Sequence, residues 1–319
     1  SYGGELVEAE KDLPGWASPD LDDADWKPAA VHHPPTLVIA AQMMEPNRLQ
    51  DEITPLSVEP LDDGFLVDMG RNYTGWFELV LPEETPKGAR VTMEFADKRF
   101  PDGKFQTYSQ RSEYAARGGG GERFRNRFNY AAFRYAIVKG LPRAPKPAEI
   151  KGRLITVDYE PGTTFSCDNA LLNDIYAMMC WTYKCLSLGG YTVDCPHRER
   201  AGWLCDSYFT ARSELALSGN CAVERNFLEN YLLPKSFPYL PEGMLPMCYP
   251  SDHNDGVFIP NWAMWFVMQL GEYKDRSGDA ALVEALRPRV LALLDYFKKF
   301  ENSDGLLEKL ESWVFVEWS

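Results

Sequence analysis

The sequence has no long apolar run. Nothing in its 319 residues approaches the roughly 18 consecutive apolar side chains that a membrane-crossing helix needs. Basic residues are scarce, 33 Lys and Arg against 47 Asp and Glu, for a net charge of −14. Such a field repels phosphate backbones and anionic lipid alike, so neither nucleic acid nor membrane is expected as a partner. The seven cysteines are an odd number with no CxxC pair. Free, mostly buried thiols are expected, and a chain of this size needs no disulfide framework, so the compartment stays open. The start, Ser1 to Glu5, has no Met, basic region or apolar region, and so does not read as a signal peptide. The end, Trp313 to Ser319, is as apolar and aromatic as a core segment. Both ends therefore read as cuts within a longer protein.

What is present suits a globular chain of two domains: 45% hydrophobic, 13% aromatic and 25% charged residues. Residues 1–60 are acidic and proline-rich and read as an incomplete β region. Residues 61–160 alternate with period two, giving strands at Phe65–Met69, Gly75–Leu81, Ala89–Phe95, Phe133–Lys139 and Arg153–Val157. Their spacing suggests a β-sandwich. The run Gly118–Gly121 lacks the Lys-Ser/Thr of a phosphate loop and reads as a hairpin loop. From 161 the period turns helical. Asp168 is the expected N-cap of a helix carrying Leu171, Leu172, Ile175, Met178, Met179 and Tyr183 on its apolar face. Further helices are expected over 206–218, 222–233, 260–275 and 279–301, the last interrupted or kinked at Pro288.

The chemistry concentrates between two of these helices, from Tyr191 to Asp206. Asp194, Glu199 and Asp206 fall within thirteen residues, with Arg198, Arg200 and Trp203 among them. Carboxylates beside an indole suit a sugar, whose hydroxyls pair with oxygens and whose C–H face lies on the ring. Glycoside cleavage needs one carboxylic acid to protonate the leaving oxygen and a second carboxylate to activate water or attack. Apolar cover from Trp203 would raise a nearby carboxyl pKa as such an acid requires. The residues alone leave two other readings open. Asp194 could cap a turn while Glu199 and Arg200 form a solvated ion pair, or His197 could join Asp194 and Glu199 around a metal, although no second His stands nearby.

The order Asp194-Cys-Pro-x-Arg198-Glu199-Arg200-x-Gly202-Trp203-x-x-Asp206 resembles the signature loop of bacterial α-L-rhamnosidases, glycoside hydrolase family 78. Asp68-Met-Gly-Arg-Asn72 with Gly75-Trp76, Pro101-Asp-Gly103, Arg127-Phe128, Phe133-Arg-Tyr135, Pro260-x-Trp262 and Gly278-Asp279 extend the likeness over roughly 60–319. It departs in having Glu199 directly after Arg198, and Cys205 where members usually have Gly.

The resemblance implies a β-sandwich followed by part of an (α/α)6 barrel: a partial β region at 1–60, the sandwich at 61–160 and the first part of the catalytic barrel at 161–319. It implies inverting removal of terminal α-L-rhamnose from a rhamnose-containing glycan or glycoside. Glu199 stands where the family has its general acid. Asp194, Asp206, Arg198 and Trp203 stand where it holds the sugar. The family's general base would lie beyond residue 319, so the chain alone is expected to be inactive. Asp252 and His253 are candidates for the pocket rim, or equally for a surface loop. Trp262 and Glu317 are candidates for substrate contact, and Trp262 and Trp265 also fit a helix core. No cofactor and no metal are implied. A rhamnose-binding homologue without activity, or a hydrolase for another deoxy sugar or a uronic acid, fits the same residues.

Overall fold

The computed structural model describes residues 4–34, 36, 39–158 and 160–316. Strands occupy Leu6–Glu8 (β1), Asn47–Ile53 (β2), Ser57–Leu61 (β3), Gly64–Val80 (β4), Arg90–Ala96 (β5), Lys98–Arg99 (β6), Phe105–Gln106 (β7), Arg111–Ala115 (β8), Arg123–Arg125 (β9), Ala131–Lys139 (β10) and Ile150–Val157 (β11). Then come Ala170–Leu186 (α1), Ser187–Leu188 (β12), Tyr191–Thr192 (β13), Leu204–Ser218 (α2), Ala222–Asn230 (α3), Pro260–Ser277 (α4) and Ala280–Phe297 (α5). The chain is thus a β part followed by a helical part.

Nine strands form one mixed sheet in the order β1-β8-β5-β10-β4-β11-β2, with β3 and β9 also on β4. β1 runs parallel to β8, and the other pairs are antiparallel. Strands on either side of residue 60 share this sheet. The two runs expected at 65–69 and 75–81 are one continuous strand, β4. Its pairing with β10 jumps from Asp68 to Tyr73, leaving residues 69–72 as a bulge. Asp68 closes that bulge, accepting from the Gly70 N–H at 2.7 Å and from the Arg134 guanidinium at 2.8 Å through each oxygen. The guanidinium holds the Asp68 carboxyl below its ordinary range. Gly75 is required because a Cβ there would meet the Arg153 carbonyl at 1.8 Å. The bulge also joins the sheet to α1: Trp181 Nε1 donates to the Asn72 carbonyl at 2.7 Å, and the Arg71 guanidinium lies 3.5 Å above that indole.

Tyr73, Phe77, Phe95 and Phe133 centre the sheet's core, with ring centroids 4.6–6.1 Å apart. Phe227, Tyr231, Phe266, Tyr273, Leu286 and Leu293 centre the helical one. Between α2, α3 and α4 runs a polar network. Arg276 bonds Glu224 at 2.6 Å and Glu272 at 2.8 Å, Gln269 donates to Ser207 and Glu224, and Arg212 pairs with Glu272. Glu214, buried on α2, accepts from the Val223 and Glu224 N–H groups and so caps α3. Burial raises its carboxyl to about 7.

Several expectations shift. The N-cap of α1 is Asn169, whose side chain accepts from Leu171 and Leu172 N–H, rather than Asp168. Leu171, Leu172, Ile175, Met178 and Met179 are exposed, so among the described residues nothing covers that face, and only Tyr183 of the set is buried. α5 runs unbroken through Pro288, carried by buried Leu282, Leu286, Leu293, Tyr296 and Phe297. All seven cysteines are free, but only Cys185 and Cys248 are buried. No described helix is long and apolar enough to cross a membrane.

Candidate active site

The hairpin β12–β13 delivers the chain into a loop at 194–203, which enters α2. The loop closes on itself. Asp194 N–H donates to the Ala201 carbonyl at 3.3 Å, Ala201 N–H returns to Asp194 Oδ1 at 3.2 Å, and the Arg198 and Arg200 N–H groups donate to the Cys195 carbonyl. The reversal puts Arg200 at φ 57°, a left-handed conformation that side-chain anchoring must hold. Its guanidinium donates to the Pro196 carbonyl (2.9 Å), Asn129 Oδ1 (2.8 Å) and the Tyr130 carbonyl (2.7 Å), and lies 3.9 Å from the Tyr130 ring. Tyr191 donates its hydroxyl to the Arg200 carbonyl. The β part thus grips the loop.

Inside this frame Asp194, Cys195 and Glu199 converge, with ligating atoms within 4.8 Å of one another. The Cys195 thiol donates to Asp194 Oδ2 at 2.7 Å, Arg198 Nε donates to that sulfur at 3.3 Å, and Arg198 pairs with Glu199 at 3.1 Å. Burial is the main reason the Asp194 carboxyl rises to about 6; a hydrogen bond and the charge of Glu199 add to it, and the thiol opposes it. Burial, then Asp194, push the Cys195 thiol up to about 12. His197 does not join the carboxylates. It lies 3.7 Å from Asp97 and 4.3 Å, ring to ring, from Tyr108, both in the β part, and burial lowers its pKa. The metal grouping of His197 with Asp194 and Glu199 is therefore not formed; Cys195 takes that place.

Trp203 pairs antiparallel with Cys248, bringing in the 247–253 segment. Its ring stands 5.7 Å from His253, and its buried indole N–H has no acceptor among the described residues. Cys248 is pushed up to about 12, first by burial and then by the charges of Asp194, Glu199 and Asp252. Asp252 itself is exposed. Trp262 and Phe315 pack in the same small cluster as Trp203, so Trp262 belongs to the wall behind it. Trp265 packs instead on Tyr208 and Phe209. Asp206 is half-buried in the first turn of α2, where the helix dipole favours its charge. Glu317 lies outside the described residues. A separate cavity of about 400 Å³, lined by Glu214, Tyr183, Asp158 and Glu160 among others, shares no residue with this loop. Sequence reasoning missed Asn129, Tyr130, Asp97 and Tyr108, since no local pattern ties them to a loop 70 to 100 positions away.

A model of the bacterial α-L-rhamnosidase six-hairpin glycosidase domain matches residues 160–319, and one of the bacterial α-L-rhamnosidase concanavalin-like domain matches 59–156. The chain belongs to the bacterial α-L-rhamnosidase family. The α-L-rhamnosidase of Formosa agariphila is 26% identical over 99% of this chain and 35% of its own length. That of Streptomyces avermitilis is 28% identical over 97% of this chain and 30% of its own. The crystal structure of the Streptomyces avermitilis α-L-rhamnosidase complexed with L-rhamnose superposes with a TM-score of 0.81 at 26% identity, covering 93% of this chain and 29% of that one. The Dictyoglumus thermophilum enzyme, at 24% identity and TM-score 0.81, shares the fold over 94% of this chain and 34% of its own. The chain spans about a third of the length of these rhamnosidases.

Proposed function

We propose that this chain contributes the acid side of an inverting α-L-rhamnosidase site, in a β-sandwich (61–160) joined to the first part of an (α/α)6 barrel (161–319). The partial β region at 1–60 adds β1, β2 and most of β3 to the same sheet. Glu199 protonates the glycosidic oxygen. Asp194, Asp206 and Arg198 hold rhamnose hydroxyls, Trp203 backs the ring with Trp262 behind it, and Asp252 and His253 line the rim. The observation that carries this reading is the convergence of Asp194 and Glu199 in the loop that ends at Trp203, in a chain of this family.

The geometry also bears on the second carboxylate. An inverting pair stands about 6.5–9.5 Å apart with water between. Asp194 and Glu199 are closer, within 4.8 Å, and share a hydrogen bond. Asp194 is therefore assigned to sugar binding, and the general base to another part of the protein.

In the enzyme that contains this chain, Glu199→Gln is expected to lose about 10²–10⁴-fold on an unactivated rhamnoside and less on an activated aryl rhamnoside, which needs less protonation. Equal losses on the two substrates would remove Glu199 from the acid role. Calorimetry of Asp194→Ala, Asp206→Ala and Trp203→Ala with rhamnose tests the binding set separately.

A further inference from the structure

The β part carries a positive patch that the site above does not use. In a chain of net charge −14, Arg123, Arg125 and Arg127 follow one another at alternate positions along β9 and its exit, and all three are exposed. With Val7 and Phe124 they line a cavity of about 270 Å³. Phe124 is fully buried and sets the alternation that sends its arginine neighbours outward. Among the described residues, no side-chain hydrogen bond or ion pair engages the guanidinium of Arg123 or Arg127. Arg125 is 4.0 Å from Glu78, which Arg153 also shares, and lies over Trp76 at 5.7 Å. The Glu5 carboxylate is held by the backbone N–H groups of Arg127, Phe128 and Asn129 and by the Asn126 amide, so it offsets one charge near the patch but makes no ion pair with the three guanidinium groups. Phe128, at 90% exposed, is the next residue along.

We propose that Arg123, Arg125 and Arg127 form a site for a glycan-borne oxyanion, the carboxylate of a uronic acid or a sulfate ester. A guanidinium presents paired N–H donors that match the paired oxygens of either group. Like-charged side chains held side by side around a cavity repel one another until an anion enters, and an exposed ring beside them offers a face to an adjoining sugar. Arg127 is two residues from Asn129, so their Cα atoms are at most about 7 Å apart. The patch therefore lies on the same turn that grips Arg200. The inference stands whether or not Glu199 is a catalytic acid, because binding rather than turnover is read.

The test titrates the enzyme that contains this chain with a galacturonate tetrasaccharide, a sulfated galactan tetrasaccharide and a neutral maltotetraose, by calorimetry at about 20 and about 150 mM NaCl. At least one anionic tetrasaccharide is expected to bind, more weakly at the higher salt, and the neutral one not to bind. A preference between uronate and sulfate names the source of the oxyanion. Arg123→Gln with Arg127→Gln is expected to weaken binding by at least about tenfold. Lys27→Gln with Lys235→Gln removes the same charge elsewhere and should leave affinity unchanged. No binding of either anionic sugar at low salt, or equal losses in the two double variants, overturns the proposal.

Discussion

Replacing Arg276 by Met is expected to cost about 3–5 kcal/mol of folding stability, the cost of stranding one charge of a buried pair. The magnitude follows from what the guanidinium leaves behind. Its partner Glu224 has a side chain 0% exposed, against 14% for Arg276 itself. Without Arg276, Glu224 keeps, among the described residues, only the Gln269 amide, at 3.2 Å. By contrast Lys298 and Asp295, both more than 70% exposed, form the kind of pair worth about 0–1 kcal/mol. For a cooperative unit of 150–250 residues each kcal/mol moves the midpoint by about 2–4 °C, so a loss of about 6–20 °C is expected in thermal circular dichroism. The loss should depend on pH. Burial already raises Glu224 despite Arg276, and removing the arginine raises it further. A carboxyl raised in the folded state binds more protons folded than unfolded, so its contribution falls as pH rises. The deficit against the unsubstituted chain is therefore largest above neutrality and narrows towards pH 5. Adding Glu224→Gln removes the stranded charge and is expected to recover most of the loss. A loss under about 1 kcal/mol, or a deficit indifferent to pH, would refute the reasoning.

Two further outcomes follow from the loop. Arg200→Met is expected to leave the global midpoint within a few degrees but to raise amide exchange across 194–203, because it removes three hydrogen bonds and the Tyr130 contact; unchanged protection would mean that the loop holds itself. Asp194→Asn should flatten the pH dependence of stability between about 4 and about 6. The raised Asp194 carboxyl stabilises the fold at low pH and loses that contribution as pH rises towards about 6, so identical slopes in urea titrations would exclude the burial inferred for it.

Much of this arrangement was legible before any coordinates. Period-two alternation located β4, β5, β10 and β11, and the helical period located α1 to α5, because burial imposes those repeats directly. The Asp68–Asn72 run carries part of the family resemblance, but its physical role, a bulge docked on Trp181, needs contacts across 109 residues. The apolar face of α1 reads as core by periodicity yet stands exposed, since a pattern records what a face suits and not what lies on it. Asn169 displaced Asp168 as cap because neighbouring Asx residues compete and only the hydrogen bond decides. Pro288 lacks one helix donor, but α5 keeps five buried side chains that carry the helix unbroken through the gap. In the site, the loop itself was readable, and its grip from Asn129, Tyr130, Asp97 and Tyr108 was not.

The length of β4 has a consequence for the order in which the chain can take shape. One strand serves β3, β10, β11 and β9, so most of its partners are made after it. β11 begins at Ile150, seventy residues after Val80. At about 5–20 residues per second of synthesis, the apolar spine waits roughly 4–14 s before its last neighbour exists. Until β9 and β10 follow, only the β3 hairpin can shield it, and Phe77 and Leu79, buried in the finished sheet, are open to any chain nearby. Slow translation downstream of β4 therefore lengthens the window for aggregation, whereas faster delivery of residues 131–157 closes it.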